Sequence, residues 1–522
     1  MATFIIRRLI AAILILLAAT FLVYNMVALS GDPLEDLRGS QAPNVQQLIE
    51  ARIRLLHLDV PPPLRYFIWL SGIGGCFIGQ CDFGFTIQQQ PVVVLLEAAM
   101  GQTIQLVTIS NVVAIILGIV IGITTALRQY SAYDYGITFV SFLFFSLPIF
   151  WVAVLLKEFG AIGLNDFLQD GGTVSPVFIV VFTVITGLIW ASLIGGDLKR
   201  KAATFAISGV ATAGVLVYMS STGWFLDPRF RIGGADLSIV IVGAFMIAAA
   251  VGVTAILSGF KRKRPLIIGL AVALLGIVLY VPLQYTLLNP SAFVMSIPFL
   301  LLLAVVTVLV GVGIGWLFGG EQRSQAMKIG GWVAFLSGFV IIVDRIQQVW
   351  MPYSESGRIR GRPIATIGAT TPNLDGSFWV LSLDTLTHLL LPSIALLLIS
   401  FAGFTRYTRA SLLEVLNQDY IRTARAKGLT ERTVVVRHAF RNALIPIATI
   451  IAFDIAGLIG GAVITERVFG WNGMGTLFQT GLDRTDPNPV MAFFIVTGAL
   501  ALLFNLIADL AYAALDPRIR VS

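Results

Sequence analysis

Tyr420-Ile-Arg-Thr-Ala-Arg-Ala-Lys-Gly-Leu429, followed by Arg437-His-Ala-Phe-Arg-Asn-Ala-Leu-Ile-Pro446, is a cationic interruption in an otherwise apolar chain. Apolar runs at 386-404 and 444-465 flank it, each close to the roughly 20 residues a helix needs to cross a bilayer. Leu412, Leu416, Tyr420 and Ala424 recur at spacing four, while Arg409, Arg422 and Arg425 point elsewhere, so the stretch predicts an amphipathic helix. Lys427 puts a cation in its last turn and Gly428 supplies a left-handed cap. Thr430 then suits the cap of a second helix, starting at Glu431 and running through Arg437 and Arg441 to the next apolar run. The expected unit is a helix, a turn and a helix projecting from a membrane.

The rest of the chain supports a polytopic membrane protein. Of 522 residues 57% are hydrophobic and only 12% charged, against roughly 25% charged in soluble domains, and the mean hydropathy is +0.88. About twelve spans are legible, with cores near 9-29, 103-127, 135-156, 176-196, 203-225, 237-259, 266-287, 294-318, 329-343, 386-404, 444-465 and 490-512. Backbone polar groups in lipid must be satisfied within the segment, and long unalternating runs exclude a barrel, so the fold class is all-α. Basic residues cluster in alternate loops, at Arg7 and Arg8, Arg128, Lys199 to Lys201, Lys261 to Arg264, Arg323 and Lys328, Arg406 to Arg441, and Arg518 with Arg520. By the positive-inside rule these loops and both termini are cytoplasmic. The net charge of +7 is then a topology signal, with no nucleic-acid partner implied. The apolar run 9-29 is longer than the roughly 7 to 15 residues of a signal-peptide core, which predicts retention as an anchor.

Between the first two spans lies an extracytoplasmic segment, 31-100. Asp32, Pro33 and Glu35 predict a capped helix start, and Val45, Leu48, Ile49, Ile53 and Leu56 a second helix at 44-57, stopped by Pro61-Pro62-Pro63. Cys76 and Cys81 in this segment either pair, as an oxidising compartment allows, or stay as two thiols. His57, His388 and His438 lie in separate regions, and no metal site is legible. Six spans from about 176 to 343 follow one another through short loops with no ionisable residue in their interiors, which suits packing or lipid-facing material or a docking surface for another subunit. Glu466 to Gly475 is glycine-rich and reads as a compact re-entrant turn. Asp454 is a carboxylate in mid-span, a pathway-lining candidate or a bond to a neighbouring helix, and Asp509 lies nearer a span end.

Asp419 to Leu429 and Arg437 to Ala443 resemble the EAA loop of ABC importer permeases, in the form found in the dipeptide/oligopeptide and nickel family, with Phe440 in place of a leucine. Arg7-Arg8-Leu9, Gly31-Asp32-Pro33, Leu58-Asp59, Asp82-Phe83-Gly84 and Leu147-Pro148-Ile149-Phe150-Trp151 are similar to the first half of that family. Glu466, Phe469, Gly473, Gly475 and Asp516-Pro517-Arg518 are similar to its second half. The chain departs from it at Arg422, where the general pattern has glutamate, and at Asn472, where the family usually has proline. The resemblance implies a type I importer fold divided as 1-30 (first span), 31-100, 101-160 (core, first part), 161-344 (an inserted multi-span block) and 345-522 (core, second part, with the coupling loop 405-443).

It further implies a permease subunit in the cytoplasmic (inner) membrane of a prokaryote, working with a second permease subunit, cytoplasmic ATPase subunits and an extracytoplasmic solute-binding protein. Arg422, Ala424, Arg425, Lys427 and Gly428 would form the part gripped by the ATPase. The chain has no G-x-x-x-x-G-K-[ST] phosphate loop, so no cofactor is expected on it and ATP would be bound by the partner subunits, making the chain a transport subunit and not an enzyme. Peptide is the substrate implied at family level, with nickel or another small solute as alternatives. A secondary transporter acting alone would need two related halves and coupling acids within the spans, and neither is legible. A membrane enzyme would need a catalytic constellation, and none is legible either.

Overall fold

The computed structural model describes residues 2–41, 43–232, 235–260 and 263–515. The side chains of Arg8 and Asp509, and Lys261, Arg262, Asp516, Pro517, Arg518 and Arg520 altogether, lie outside the described residues. Among the described residues the regular structure is helical apart from a two-residue antiparallel ladder, Arg231–Ile232 with Ala235–Asp236, and an isolated bridge between Phe85 and Pro91. Eleven of the described helices are long and apolar enough to cross a membrane, or twelve if Ala132–Ser146 and the helix after it count as one broken span. That break corrects the sequence expectation of one continuous span over 135-156. Pro148 lacks an N–H and pushes Leu147 into an extended conformation, so the helix stops at Ser146 and restarts at Ile149.

Contacts divide the chain into two units, Met1–Glu158 with Thr366–Ala369 and Leu389–Ser522, and Phe159–Ala365 with Thr370–His388. In the first unit the Leu9–Leu29 span, the helix Pro62–Gly74 and the helix Pro487–Leu515 enclose a core of Tyr24, Tyr66, Trp69, Val92, Leu96, Met474, Met491 and Phe493. The segment after the first span differs in detail from expectation. Asp32 Oδ1 accepts from Leu34 N, so Asp32 makes a turn and the short helix Glu35–Arg38 begins later, without the capping box. The helix Val45–Leu56 ends on His57, in the left-handed region at φ 52°, before the prolines. Pro62 then opens a further helix, where its fixed φ and missing N–H fit the first turn.

In the second unit, six helices (Pro176–Ile194, Leu198–Ser221, Ser238–Leu257, Lys263–Tyr285, Ile297–Phe318 and Arg323–Ser354) cover most of the stretch 161-344 that the sequence reading expected to be an insertion. Its core gathers Met246, Ala250, Val272, Ile329, Val333, Ile341, Tyr353 and Trp379. The helices Pro176–Ile194 and Leu198–Ser221 bury almost nothing beyond their mutual contact, as lipid-facing helices do. The last helix runs past the expected end at 343 and carries Asp344, only 3% exposed, so the block does hold an ionisable group within a helix. Its Oδ2 accepts from Tyr280 Oη (2.6 Å), Gln348 Nε2 (2.8 Å) and Gln284 Nε2 (3.2 Å), which answers most of its desolvation inside the unit. A second buried cluster joins Asp384 to Tyr353 Oη (3.1 Å) and to Thr371 Oγ1 (2.6 Å).

Helix packing in lipid relies on small residues that let backbones approach, and Gly311 and Gly330 do this. A Cβ on Gly311 would overlap the carbonyl oxygen of Gly330 and the methyl of Ala334. Gly311→Val is therefore expected to lower unit stability by about 2 kcal/mol, the usual cost of overpacking. Gly313→Val, pointing into open space, should not. Thermal unfolding of the two variants in detergent separates them, and equal unfolding temperatures would contradict the packing.

Candidate functional site: a cationic hairpin and a buried-acid brace

The helix Phe378–Leu416 ends on Leu416, and a bend at Asn417 and Gln418 separates it from the helix Asp419–Ala426. The expected continuous row from Leu412 to Ala424 is thus broken. Ile421 and Ala424 form the buried face, packed with Leu412, Ala126, Val434, Ala439 and Ala443, while Tyr420 is 43% exposed. Tyr420 Oη instead accepts from Asn442 Nδ2 at 2.8 Å, tying the first arm of the hairpin to the second.

The turn closes as its residues dictate. Lys427 and Gly428 donate backbone N–H to the carbonyls of Thr423 (3.0 Å) and Arg425 (2.9 Å), and Gly428 sits at φ +76°. Thr430 Oγ1 accepts from Thr433 N, capping the second arm, which runs through the π-helical stretch Val434–Ala439 into Phe440–Gly461. Arg425 is not free: its Nη2 and Nε meet Glu431 Oε1 and Oε2 at 2.7 and 3.2 Å across the turn. Those hydrogen bonds raise the Arg425 pKa further and keep it charged. Arg422 has only an exposed 3.6 Å approach to Asp419, which contributes little. Arg422, Lys427, Arg432, Arg437 and Arg441 all stand exposed, so the hairpin presents a cationic outer surface on an apolar inner one.

Asp454, half-buried in Phe440–Gly461, accepts from Ser400 Oγ at 3.0 Å, a bond between helices. Cys76 and Cys81 are joined by a disulfide with Cα atoms 4.1 Å apart.

Three residues that the sequence reading left out, or quoted only as a pattern, hold the unit together. Glu466, fully buried, accepts from Thr103 Oγ1 (2.6 Å) and Thr476 N (3.1 Å), while Thr103 Oγ1 accepts from Met474 N. The Glu466 carboxylate occupies the space a Cβ on Gly473 would need, so glutamate and glycine belong to one arrangement. The turn is two helices, Val463–Phe469 and Met474–Asp483, around left-handed Gly470. Asp486, 2% exposed, accepts from Ile87 N at 2.7 Å, and Asn488 Nδ2 donates to Phe85 O at 2.8 Å. Arg409 grips buried Asp134 through Nε (2.7 Å) and Nη2 (2.9 Å). Charged residues beside apolar runs are the only sequence signal for these acids; their partners lie hundreds of residues away.

Burial pushes the Glu466 carboxyl up, and burial pushes Asp486 up to about 6 against the donated N–H of Ile87. A carboxyl whose folded pKa lies above its unfolded 3.8 contributes stability fully present below pH 3.8 and lost as pH rises through about 6. Asp486→Asn keeps an acceptor for Ile87 N and removes that dependence. The variant is expected to gain on the wild type between pH 4 and 7 by up to about 3 kcal/mol at 1.36 kcal/mol per pKa unit. Unfolding temperature measured across that range checks it; parallel curves would refute it.

Residues 266–521 match the family model described as binding-protein-dependent transport system inner membrane component. The match begins at Leu266, within the second unit. The oligopeptide transport system permease protein OppB of Mycobacterium tuberculosis (strain ATCC 25618 / H37Rv) is 51% identical over 155 residues, 30% of this chain and 48% of the relative. AppB, an oligopeptide transport system permease protein of Bacillus subtilis, is 48% identical over 26% of this chain and 43% of its own length. The dipeptide transport system permease protein DppB of Escherichia coli K12 is 43% identical over 28% and 42%. The chain spans about half the length of the curated relatives it matches. Residues 266–521 of this multi-pass membrane protein thus belong with the inner membrane components of binding-protein-dependent transport systems, and the relatives the chain resembles are permeases named for oligopeptides and dipeptides.

Proposed function

We propose that this chain is one permease subunit of a binding-protein-dependent importer, forms half of the pathway for a peptide, and is driven by separate ATPase subunits that grip the hairpin 405-443. The observation that carries the reading is the two-faced hairpin. Ile421 and Ala424 are locked to Leu412, Val434 and Ala126 at the ends of long helices, while Arg422 and Lys427 face outward without a strong partner. A force applied to the outer face passes into the helices through a packed contact, and packed helices shift as units between discrete arrangements. Arg425 has a different role from Arg422 and Lys427: paired with Glu431, it holds the hairpin closed.

In this reading the hairpin and both termini are cytoplasmic in a prokaryotic inner membrane, the Cys76–Cys81 loop faces the opposite, oxidising side, and a solute-binding protein delivers substrate there. ATP sits on the ATPase subunits, and a second permease subunit completes the pathway. Peptide is preferred to nickel because the curated relatives are named as oligopeptide and dipeptide permeases. Asp454, held on one oxygen by Ser400, is a pathway-lining candidate for a peptide amino group.

Gly428 tests the reading. It has open space around it but a left-handed backbone, so Gly428→Val costs about 1–2 kcal/mol of backbone strain at the turn without crowding a neighbour. In cells carrying the whole importer the variant is expected to reach the membrane at wild-type level and to lose at least tenfold in peptide uptake and in substrate-stimulated ATP hydrolysis. Wild-type uptake by that variant would contradict coupling through the hairpin.

A further inference from the structure

Arg406 stands one turn before Arg409 on the helix Phe378–Leu416, yet the two guanidiniums do opposite things. Arg409 is spent on Asp134, near the start of the helix Ala132–Ser146. The Arg406 guanidinium lies 4.2 Å from the ring centroid of Phe145, at the other end of the same helix, and 5.3 Å from that of Tyr407. Asp134 and Phe145 are about 16 Å apart along the axis at 1.5 Å per residue. An arginine seeking the membrane surface would extend toward the charged Asp134 end; this one extends toward the apolar interior. Among the described residues no carboxylate lies within ion-pairing distance of it.

Beside it is a cavity of about 120 Å³ lined by Ser141, Phe142, Phe145, Thr405 and Arg406. Ser141 Oγ and Thr405 Oγ1 are buried, at 5% and 2% residue exposure, and neither has a hydrogen-bond partner. The other polar groups on the wall are committed. Thr125 Oγ1 donates to Ile121 O and Gly122 O, Thr138 Oγ1 reaches Asp134 Oδ1 at 3.5 Å, and Arg409 and Asp134 neutralise each other. What the cavity offers is two uncommitted hydroxyl donors and one uncompensated positive charge. A buried hydroxyl without a partner costs about 1–3 kcal/mol, and an unpaired charge in a membrane costs more, so the arrangement is complete only with an anion in it.

We propose that Arg406, with the hydroxyls of Ser141 and Thr405, forms a site for the carboxylate group of the transported solute. The proposal rests on the peptide-import reading above and deepens it by naming the group recognised. A guanidinium presents a planar fork that pairs with a carboxylate through two parallel hydrogen bonds, and the two hydroxyls suit its remaining lone pairs. A phospholipid phosphate is the rival source of an anion. It sits at the charged membrane surface, level with the Asp134–Arg409 pair, whereas the Arg406 guanidinium is directed away from that surface.

The test uses the full chain with its partner subunits. Uptake of labelled trialanine and of trialanine amide is measured in cells carrying wild type, Arg406→Gln, Arg406→Lys and the double variant Ser141→Ala/Thr405→Val, and binding of both peptides is measured on the purified chain. The wild-type chain is expected to bind trialanine at least tenfold more tightly than the amide. Arg406→Gln should remove that preference and cut trialanine uptake at least tenfold, Arg406→Lys should restore part of it, and the double variant, which keeps the charge, should cost three- to tenfold. Wild-type uptake of neither peptide sinks the peptide reading itself. Trialanine uptake unchanged in Arg406→Gln, or equal binding of acid and amide by the wild type, overturns the carboxylate site alone. An Arg406-dependent rise in unfolding temperature with short-chain phosphatidylglycerol but not with trialanine overturns it in favour of lipid.

Discussion

In hydrocarbon there is no water to take up an unpaired peptide N–H or C=O, and this one constraint sets both the architecture and the meaning of every exception to it. Helices satisfy their own backbones, so long apolar runs become spans whatever their order. Where the chain departs from a straight helix, a particular group takes up the released valences. At Pro148 there is no N–H in want of an acceptor; at Gly428 the turn reuses the carbonyls of Thr423 and Arg425; at Met474 the N–H is met by Thr103 Oγ1.

The same constraint separates structural polar groups from functional ones. Glu466, Asp344 and Asp134 are all buried acids, and each is surrounded by donors from its own unit. Such acids fix how helices meet, because each bond needs two elements in register, and their removal leaves donors stranded. The hairpin's cations and the Arg406 cavity are the reverse case, with donors present and few acceptors nearby. A surface of unspent donors is complementary to acceptors outside the chain.

Much of this was legible in the sequence. All-helical architecture, about twelve spans, the helix–turn–helix hairpin, its glycine exit and the Thr430 cap follow from hydropathy and local capping chemistry, which depend on residues close in sequence. The losses came where distant residues decide. Tyr420 was assigned to the apolar row by spacing alone, but Asn417 and Gln418 break the helix, and Asn442 engages the phenol. Asp344 was excluded by drawing a span one residue short, since hydropathy falls at Asp344 and Arg345 although the helix does not. The prolines at 61-63 were read as a stop and act as a start, a distinction carried by His57 adopting the left-handed conformation before them. Arg406 was counted only as a topology charge, because which way a long side chain extends is not a property of its position in the sequence.

The second unit, Phe159–Ala365 with Thr370–His388, shows the same constraint at work over six helices. Six consecutive helices long and apolar enough to span are an even number, so six crossings return the chain to the side of the membrane where they began. An acid buried among such helices needs donors close at hand. The unit's principal buried acids meet this condition, Asp344 with Tyr280, Gln284 and Gln348, and Asp384 with Tyr353 and Thr371. At Gly311 and Gly330 two helices of the unit meet backbone to backbone, leaving no room for a Cβ on either residue. The two acids are thus met within the unit, whereas Thr183 Oγ1 and Ser337 Oγ are buried there without a hydrogen-bond partner.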